Sequence, residues 1–316
     1  MREITRLAWT FPELDQMTEQ IEAEYSVAET FKAKFDEKKW REPRILGALL
    51  AMQGEVCAYC QGLLTPSDRG DVDHFRPKSI YWWLAYHFSN YFLTCMRCNR
   101  VRKGKKFPLE NGEPGLQYND DRDLDDEQRL LLDPCHDPVE QRIKLKREGK
   151  AWMLKPVSRE GVNDPQAEET IRFFELNLGK IPGVRLQKIE EALEEAKRFK
   201  AGLVDATKAK KMASRFQAYG VFVRRIFSKR GWEPLLPTPR DEMRFLIVDL
   251  RMLLDTYEDS LQAHPQHQDT ISLREATLWA LAAIWEQPPS GVSSGEISKW
   301  LGNKYRPQVR ALIDQP

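Results

Sequence analysis

Two Cys-x-x-Cys pairs, CAYC at 57–60 and CMRC at 95–98, limit what this chain can fold into more than any other feature. Zinc takes four thiolates tetrahedrally, and two short knuckles present them without needing a large scaffold. The spacing therefore predicts one metal site built from Cys57, Cys60, Cys95 and Cys98. The competing reading is two unrelated redox or core cysteine pairs. Turn-like sequence around both pairs, rather than continuous helix, weighs against it. The fifth cysteine, Cys135, stands apart in a sequence that reads as a turn. The N-terminus shows no apolar stretch followed by small residues, so the expectation is a cytoplasmic protein whose cysteines bind metal rather than form disulfides.

The loop closed by the knuckles carries more than a structural zinc site requires. Inside it lies DVDHFRPKS, 71–79, and directly after the last cysteine comes Asn99. Hydrolysis of a phosphodiester needs a hard cation with oxygen ligands, a base for water, and charge neutralisation. Magnesium takes carboxylate, amide and water oxygens, which suits Asp73 and Asn99. An imidazole titrating near neutrality suits the base, which points to His74. Asp73 and His74 fall in a β-prone run, where neighbours face opposite sides unless the strand is distorted. Taken alone, the Asp-His pair also reads as a turn with a surface imidazole.

The combination CAYC, DVDHFRPKS and NYFLTCMRCNRVRKG resembles the HNH endonuclease superfamily in its four-cysteine form. The resemblance covers roughly residues 55–110. It implies a ββα-metal core with a structural zinc and a separate catalytic Mg²⁺ or Mn²⁺. Asp73 and Asn99 would ligate that second ion, His74 would activate water, and Asn90 would hold the His74 loop by hydrogen bonds. Arg76, Lys78, Arg102 and Lys103 are the expected phosphate contacts. The family's usual spacing puts a lysine three residues after the asparagine. Here that position is Arg102 and Lys103 follows, which leaves the identity of the clamp open between them. His87 lies near Asn90, but the motif asks for no histidine there.

A wider likeness, over about residues 1–190, includes the MREITR opening, LLDPCHDPVEQRI and ETIRFFELNL. These are similar to the HNH subfamily containing the PtuB component of Septu anti-phage systems and related retron effectors. That likeness implies a nuclease working beside an ABC or OLD-like ATPase such as PtuA, with nucleic acid as substrate (DNA favoured, RNA not excluded). The chain has no GxxxxGK[ST] loop, so ATP dependence would have to come from a partner. Two other functions compete: a stand-alone restriction or mobile-element nuclease, and a catalytically silent zinc adaptor that binds nucleic acid.

The 49 basic and 48 acidic side chains nearly cancel, so any anion-binding surface is local. Six of the basic residues fall between Arg97 and Lys106. No run of about 18 apolar residues is present to span a bilayer. Periodicity predicts a mainly α protein carrying the small ββα-metal core. A helix over 42–54 is stopped by Gly54, β-prone runs lie at VDHFRP and YFLTC, and an exposed helix follows from Cys95. A hairpin turns at Glu148-Gly149, and one long helix runs from 184 to about 211. Further helices lie near 241–260 and 272–287, with a helix-turn-helix cadence over 293–313 expected to be a terminal packing pair. The acidic stretch 110–128 reads as a solvated loop. The expected division is a helical segment (1–54), the nuclease core (55–110), an extension (111–190) and a helical region (191–316).

Overall fold

The computed structural model describes residues 1–27, 30–64, 70–121 and 123–314. In chain order its longer elements are α1 (Pro12–Val27), α2 (Pro43–Gln53), β1 (Asp71–His74), β2 (Tyr91–Thr94) and α3 (Val139–Arg142). The hairpin β3 (Ile143–Glu148) and β4 (Ala151–Pro156) precedes α4 (Pro165–Phe173) and α5 (Ile181–Lys200). There follow α6 (Thr207–Met212), α7 (Gly220–Lys229), α8 (Pro239–Ala263), α9 (Gln268–Glu286) and α10 (Ser294–Ile313). The protein is mainly helical with small two-stranded sheets.

Two compact units form, and they do not follow the expected four-part division. The first gathers residues 1–6, 10–40 and 57–186; the second gathers 7–9, 41–56 and 187–316. The N-terminal segment is thus shared, with α1 in the first unit and α2 in the second. The physical reason is that α2 buries Ile45, Ala48, Leu49, Ala51 and Met52, more than one stripe's worth, and needs a helical core. It finds one in α9. The two helices meet at Gly47, where an added Cβ would lie 2.5 Å from Trp279 Cβ and 2.6 Å from the Ala276 carbonyl. Gly54, at φ 60°, stops α2 as expected, its N–H bonding Leu50 O at 2.7 Å.

The rest of the second unit is a helical core in which the stripes of α8, α9 and α10 interlock. Leu246, Leu250 and Leu254 meet Leu278, Leu281 and Ile284, while Ile297, Leu301, Tyr305 and Val309 come from α10. Gly302, at φ 68°, breaks α10 into the two halves that the sequence suggests, and both halves bury into this core. The single helix expected over 184–211 is two, α5 and α6, separated by a turn in which Gly202 has φ 72°.

In the first unit β1 and β2 pair antiparallel, with His74 opposite Tyr91 and Asp73 opposite Phe92. The helix expected after Cys95 is a π-helical turn over Arg97–Lys103, closed by the Gly104 N–H on Asn99 O at 2.6 Å. The hairpin turns at Gly149 (φ 59°), where the sequence places it. The ETIRFFELNL segment ties at one end to the stretch preceding the hairpin and at the other to β4. Thr170 Oγ1 accepts the Leu132 N–H at 2.9 Å. The Asn177 amide both accepts from Leu154 N (2.8 Å) and donates to Leu154 O (2.7 Å), gripping β4 like a paired strand.

Glu127 departs from its expected place in a solvated loop. It is buried, accepting from Arg76 Nε (3.1 Å), the Tyr81 hydroxyl (2.6 Å) and Leu116 N (3.0 Å). An acidic run is normally left in water, because a buried carboxylate must be paired. Arg76 supplies the charge that lets this one stay inside. Arg122, in the same run, lies outside the described residues.

Candidate functional site

The CAYC knuckle folds back on itself. Cys57 N donates to Gly62 O (2.9 Å), and Gln61 N, at a residue with φ 65°, donates to Cys57 O (3.1 Å). Ala58 N bonds Leu93 O on β2 at 3.0 Å, which fixes the knuckle to the sheet, while Asn99 N on Cys95 O closes the second knuckle. The four thiols converge, every ligand atom lying within 4.8 Å of the others. The Cys60 and Cys95 sulfurs are 3.8 Å apart. A disulfide needs about 2.05 Å, whereas the edge of a tetrahedron with metal–sulfur bonds of about 2.3 Å is about 3.8 Å. All five cysteines are free thiols.

Four thiolates do not stay charged together without a cation. Burial pushes Cys57 up, and hydrogen bonds among the neighbouring thiols push Cys98 up and Cys60 and Cys95 down. The donor set fits a soft or borderline divalent metal such as zinc. Gly62 N also points at Cys60 Sγ (3.4 Å), the kind of outer hydrogen bond that orients a thiolate ligand.

The remaining expected residues are spread over several contact sets. His74, 7% exposed, lies edge-on to Trp40 and Tyr91, with ring centroids 4.8 and 5.0 Å away. Its Nε2 is 2.9 Å from Ala85 O. A carbonyl only accepts, so Nε2 carries the proton and Nδ1 keeps its lone pair. Burial holds the imidazole neutral, its pKa pushed down to about 3. Asn90 grips the chain beyond His74: Oδ1 accepts from Arg76 N (2.8 Å), and Nδ2 donates to Arg76 O (3.0 Å) and Leu84 O (3.1 Å).

Asp73 turns to a different neighbourhood, as alternation along a strand dictates. It is 3% exposed. Its Oδ2 accepts from the Tyr59 hydroxyl at 2.5 Å and its Oδ1 from Lys103 Nζ at 3.1 Å. Lys103 Nζ also donates to His74 O at 2.5 Å. Burial raises the Asp73 pKa and lowers that of Lys103, and each opposes the shift of the other. Tyr59, stacked on Phe174 with ring centroids 4.1 Å apart, is kept a neutral phenol by burial. Asn99 is half-buried on the π-turn. A magnesium ion keeps several waters, and a sealed carboxylate already bonded through both oxygens has no room for them. The residues as arranged do not fit a hydrated divalent ion at Asp73.

The expected phosphate contacts divide. Arg76 and Lys103 are committed inside the protein, Arg76 to Glu127 and to Leu124 O (2.8 Å). Lys78 is partly exposed, its Nζ 4.7 Å over the Trp40 ring and 3.4 Å from Glu37. Arg102 is ion-paired with Glu175. Lys105 and Lys106 are exposed, and Arg100 holds Asp71 through two bonds at 2.6 and 2.7 Å. The two clamp candidates, Arg102 and Lys103, face different partners for a structural reason. The π-turn absorbs one surplus residue, so the lysine four positions after Asn99 is the one that turns inward. His136, expected as part of a turn, bonds Asp133 at 3.0 Å.

No family model matches the chain, and no solved structure matches it either. Three curated proteins are similar over part of it. The Septu protein PtuB of Bacillus mycoides (strain KBAB4) is 28% identical over 148 residues, covering 41% of this chain and 48% of that protein. The Septu protein PtuB of Bacillus thuringiensis is 38% identical over 77 residues, or 23% of this chain and 30% of that protein. The Septu protein PtuA of Bacillus mycoides (strain KBAB4) is 26% identical over 148 residues, 43% of this chain and 19% of that protein. The chain therefore spans less than half the length of the curated relatives it matches. Among the described residues no helix is long and apolar enough to cross a membrane.

Proposed function

We propose that this chain is a phosphodiester-cleaving nuclease of the HNH kind, acting within a Septu-type anti-phage defence system beside an ATPase of the ABC or OLD-like type. The observation that carries the chemistry is the His74 ring. Its Nε2 proton is committed to Ala85 O, which leaves Nδ1 as the ring's proton acceptor toward water; the burial that holds the pKa at about 3 must be relieved by substrate for that atom to act as a base. Asn90 clamps the backbone that follows, so the ring is aimed by the sheet rather than by a mobile loop. The thiol cluster, with zinc bound, braces the same two strands. Similarity to two proteins named PtuB supports the defence setting, and similarity to a PtuA supports the partner class. Nucleic acid would be drawn to the exposed Lys105 and Lys106 and the partly exposed Lys78, through contacts that carry no sequence information. The Mg²⁺ or Mn²⁺ that the resemblance assigns to Asp73 and Asn99 takes no step in this reading, since Lys103 already holds that carboxylate.

The test is cleavage of DNA and RNA by the purified chain, alone and with its co-purified partner, in Mg²⁺ or Mn²⁺. His74→Ala is expected to lower cleavage at least 100-fold, the lower range for loss of a general base, with metal content and thermal unfolding unchanged. Undiminished cleavage by that variant removes the assignment. Sequence-specific cutting by the isolated chain would favour a stand-alone restriction nuclease instead.

A further inference from the structure

The charges that nearly cancel over the chain do not cancel locally. From Lys197 to Trp232, all within the second unit, stand eleven basic side chains and one acidic one, Asp205. Most of these cations are answered by carboxylates of neighbouring turns and helices. Lys197 pairs with Glu194, and Arg198 and Lys208 share Glu195. Lys210 meets Asp241, Lys211 meets Asp249, and Arg215 and Arg224 share Glu242. Seven cations thus draw on five carboxylates, so even the paired set keeps a positive surplus.

Lys200, Lys229 and Arg230 are placed differently. All three are exposed, at the C-terminal ends of α5 and α7. The Lys200 ammonium and the Arg230 guanidinium each lie 5.0 Å from the centroid of one ring, that of Trp232. That ring is fixed from below: Trp232 N donates to Phe227 O at 3.0 Å, and the two rings are 5.6 Å apart. A cation over an aromatic face is held by the ring's quadrupole and keeps its whole charge, whereas a carboxylate would neutralise it. Trp232 therefore gathers positive charge from two helix ends and leaves it available to an anion from solution. Cations at helix C-termini also answer the helix dipole, which accounts for their sign but not for their meeting on one ring.

We propose that the ends of α5 and α7 around Trp232 form an anchor for the phosphate backbone of nucleic acid, with Lys200, Lys229 and Arg230 as its contacts and Arg198 and Lys208 extending it. A lysine-rich patch suits phosphates better than a protein partner, because protein interfaces are poor in lysine. The anchor rests on reading the chain as one that acts on nucleic acid, and it gives the second unit a part in that work: grip without sequence preference.

The experiment uses the full zinc-loaded chain with no other divalent ion. Fluorescence anisotropy follows binding to a labelled DNA duplex of about 30 base pairs, from about 50 to 200 mM salt. Each phosphate contact contributes about 0.9 to the slope of log affinity against log salt. Lys200→Gln, Lys229→Gln and Arg230→Gln combined should therefore lower that slope by about 2.7 and weaken binding at least tenfold at about 100 mM salt. The control triple Lys144→Gln, Lys146→Gln and Lys150→Gln removes the same charge from exposed positions of the first unit's hairpin. It should move the slope by less than about one contact's worth. All six side chains are exposed, and matching urea midpoints show that the variants fold. Equal losses from the two triples overturn the proposal, as does an unchanged slope in the first or a wild-type chain that does not bind the duplex. So does a first triple that loses affinity for polyglutamate while keeping it for DNA, which would mark a surface for an acidic protein. Cleavage is not read: a chain that binds through this patch and cuts nothing sinks the nuclease reading alone, and one that cuts with an unmoved slope sinks the anchor alone.

Discussion

Removing the Glu127 carboxylate should loosen the first unit more than any surface charge does. The side chains of Arg76 and Glu127 are only 11% and 3% exposed, and the same carboxylate accepts from Tyr81 and Leu116. Glu127→Ala leaves a guanidinium, a phenol and an amide without their acceptor. Breaking a buried pair from one side costs roughly 3–5 kcal/mol, and each neutral donor stranded in the interior about 1–3 kcal/mol. These losses share one group and do not add, so the expected total is about 4 kcal/mol, against domain stabilities of about 5–15 kcal/mol. Glu127→Gln should cost about half as much. Its Oε1 keeps Tyr81 and Leu116 as donors, while its NH₂ meets the Arg76 N–H donor to donor. The assay is hydrogen exchange in rising urea, read on peptides covering 71–76 and 90–94, because Arg76 is the residue that Asn90 clamps. A loss below about 1 kcal/mol for Glu127→Ala would refute the reasoning, as would a glutamine variant no better than alanine.

The thiol cluster should carry one zinc per chain by elemental analysis, and Cys57→Ser or Cys98→Ser should cut that at least tenfold while destabilising the first unit. Glu55, whose pKa is pushed up to about 7 by burial and then by Asp249, gives a pH signature. A carboxyl with a raised folded-state value takes up a proton on folding, so its contribution favours the folded state at acid pH and is lost as pH rises from about 4.5 to about 7. Glu55→Gln should therefore be more stable than wild type at pH 8, by up to about 3 kcal/mol, with the gap closing by pH 4.5. Urea midpoints of the two proteins across that range check it, and a constant gap would be the failure.

Several features of the fold and site were open to sequence reasoning because their signals are local. Two cysteine knuckles announce four thiols gathered at one place, whatever lies between them. Gly149 after a charged β-prone run marks a hairpin, and Gly54 and Gly302 mark stops that the structure uses. Asn90 was singled out through a family likeness, and its side chain does grip the residue after the motif's Phe75. What escaped depends on distance or on a one-residue change of winding. Glu127 looks like its solvated neighbours until Arg76, 51 positions earlier, is placed beside it. Trp40 sits against His74 from a segment whose sequence carries no hint of that contact. Arg102 and Lys103 compete for the clamp because both the third and the fourth residue after Asn99 share its face in a regular helix, and nothing local in the sequence says which of the two is buried. Gly202, one glycine in a strongly charged periodic stretch, was too weak a signal to split α5 from α6.

The π-turn between Asn99 and Gly104 has a bearing on how relatives of this chain should be compared. A search pattern that fixes the interval from asparagine to cation would select Arg102, which pairs with Glu175, and pass over the group that touches Asp73. Where the winding of a helix changes like this, side chains correspond by reach rather than by count.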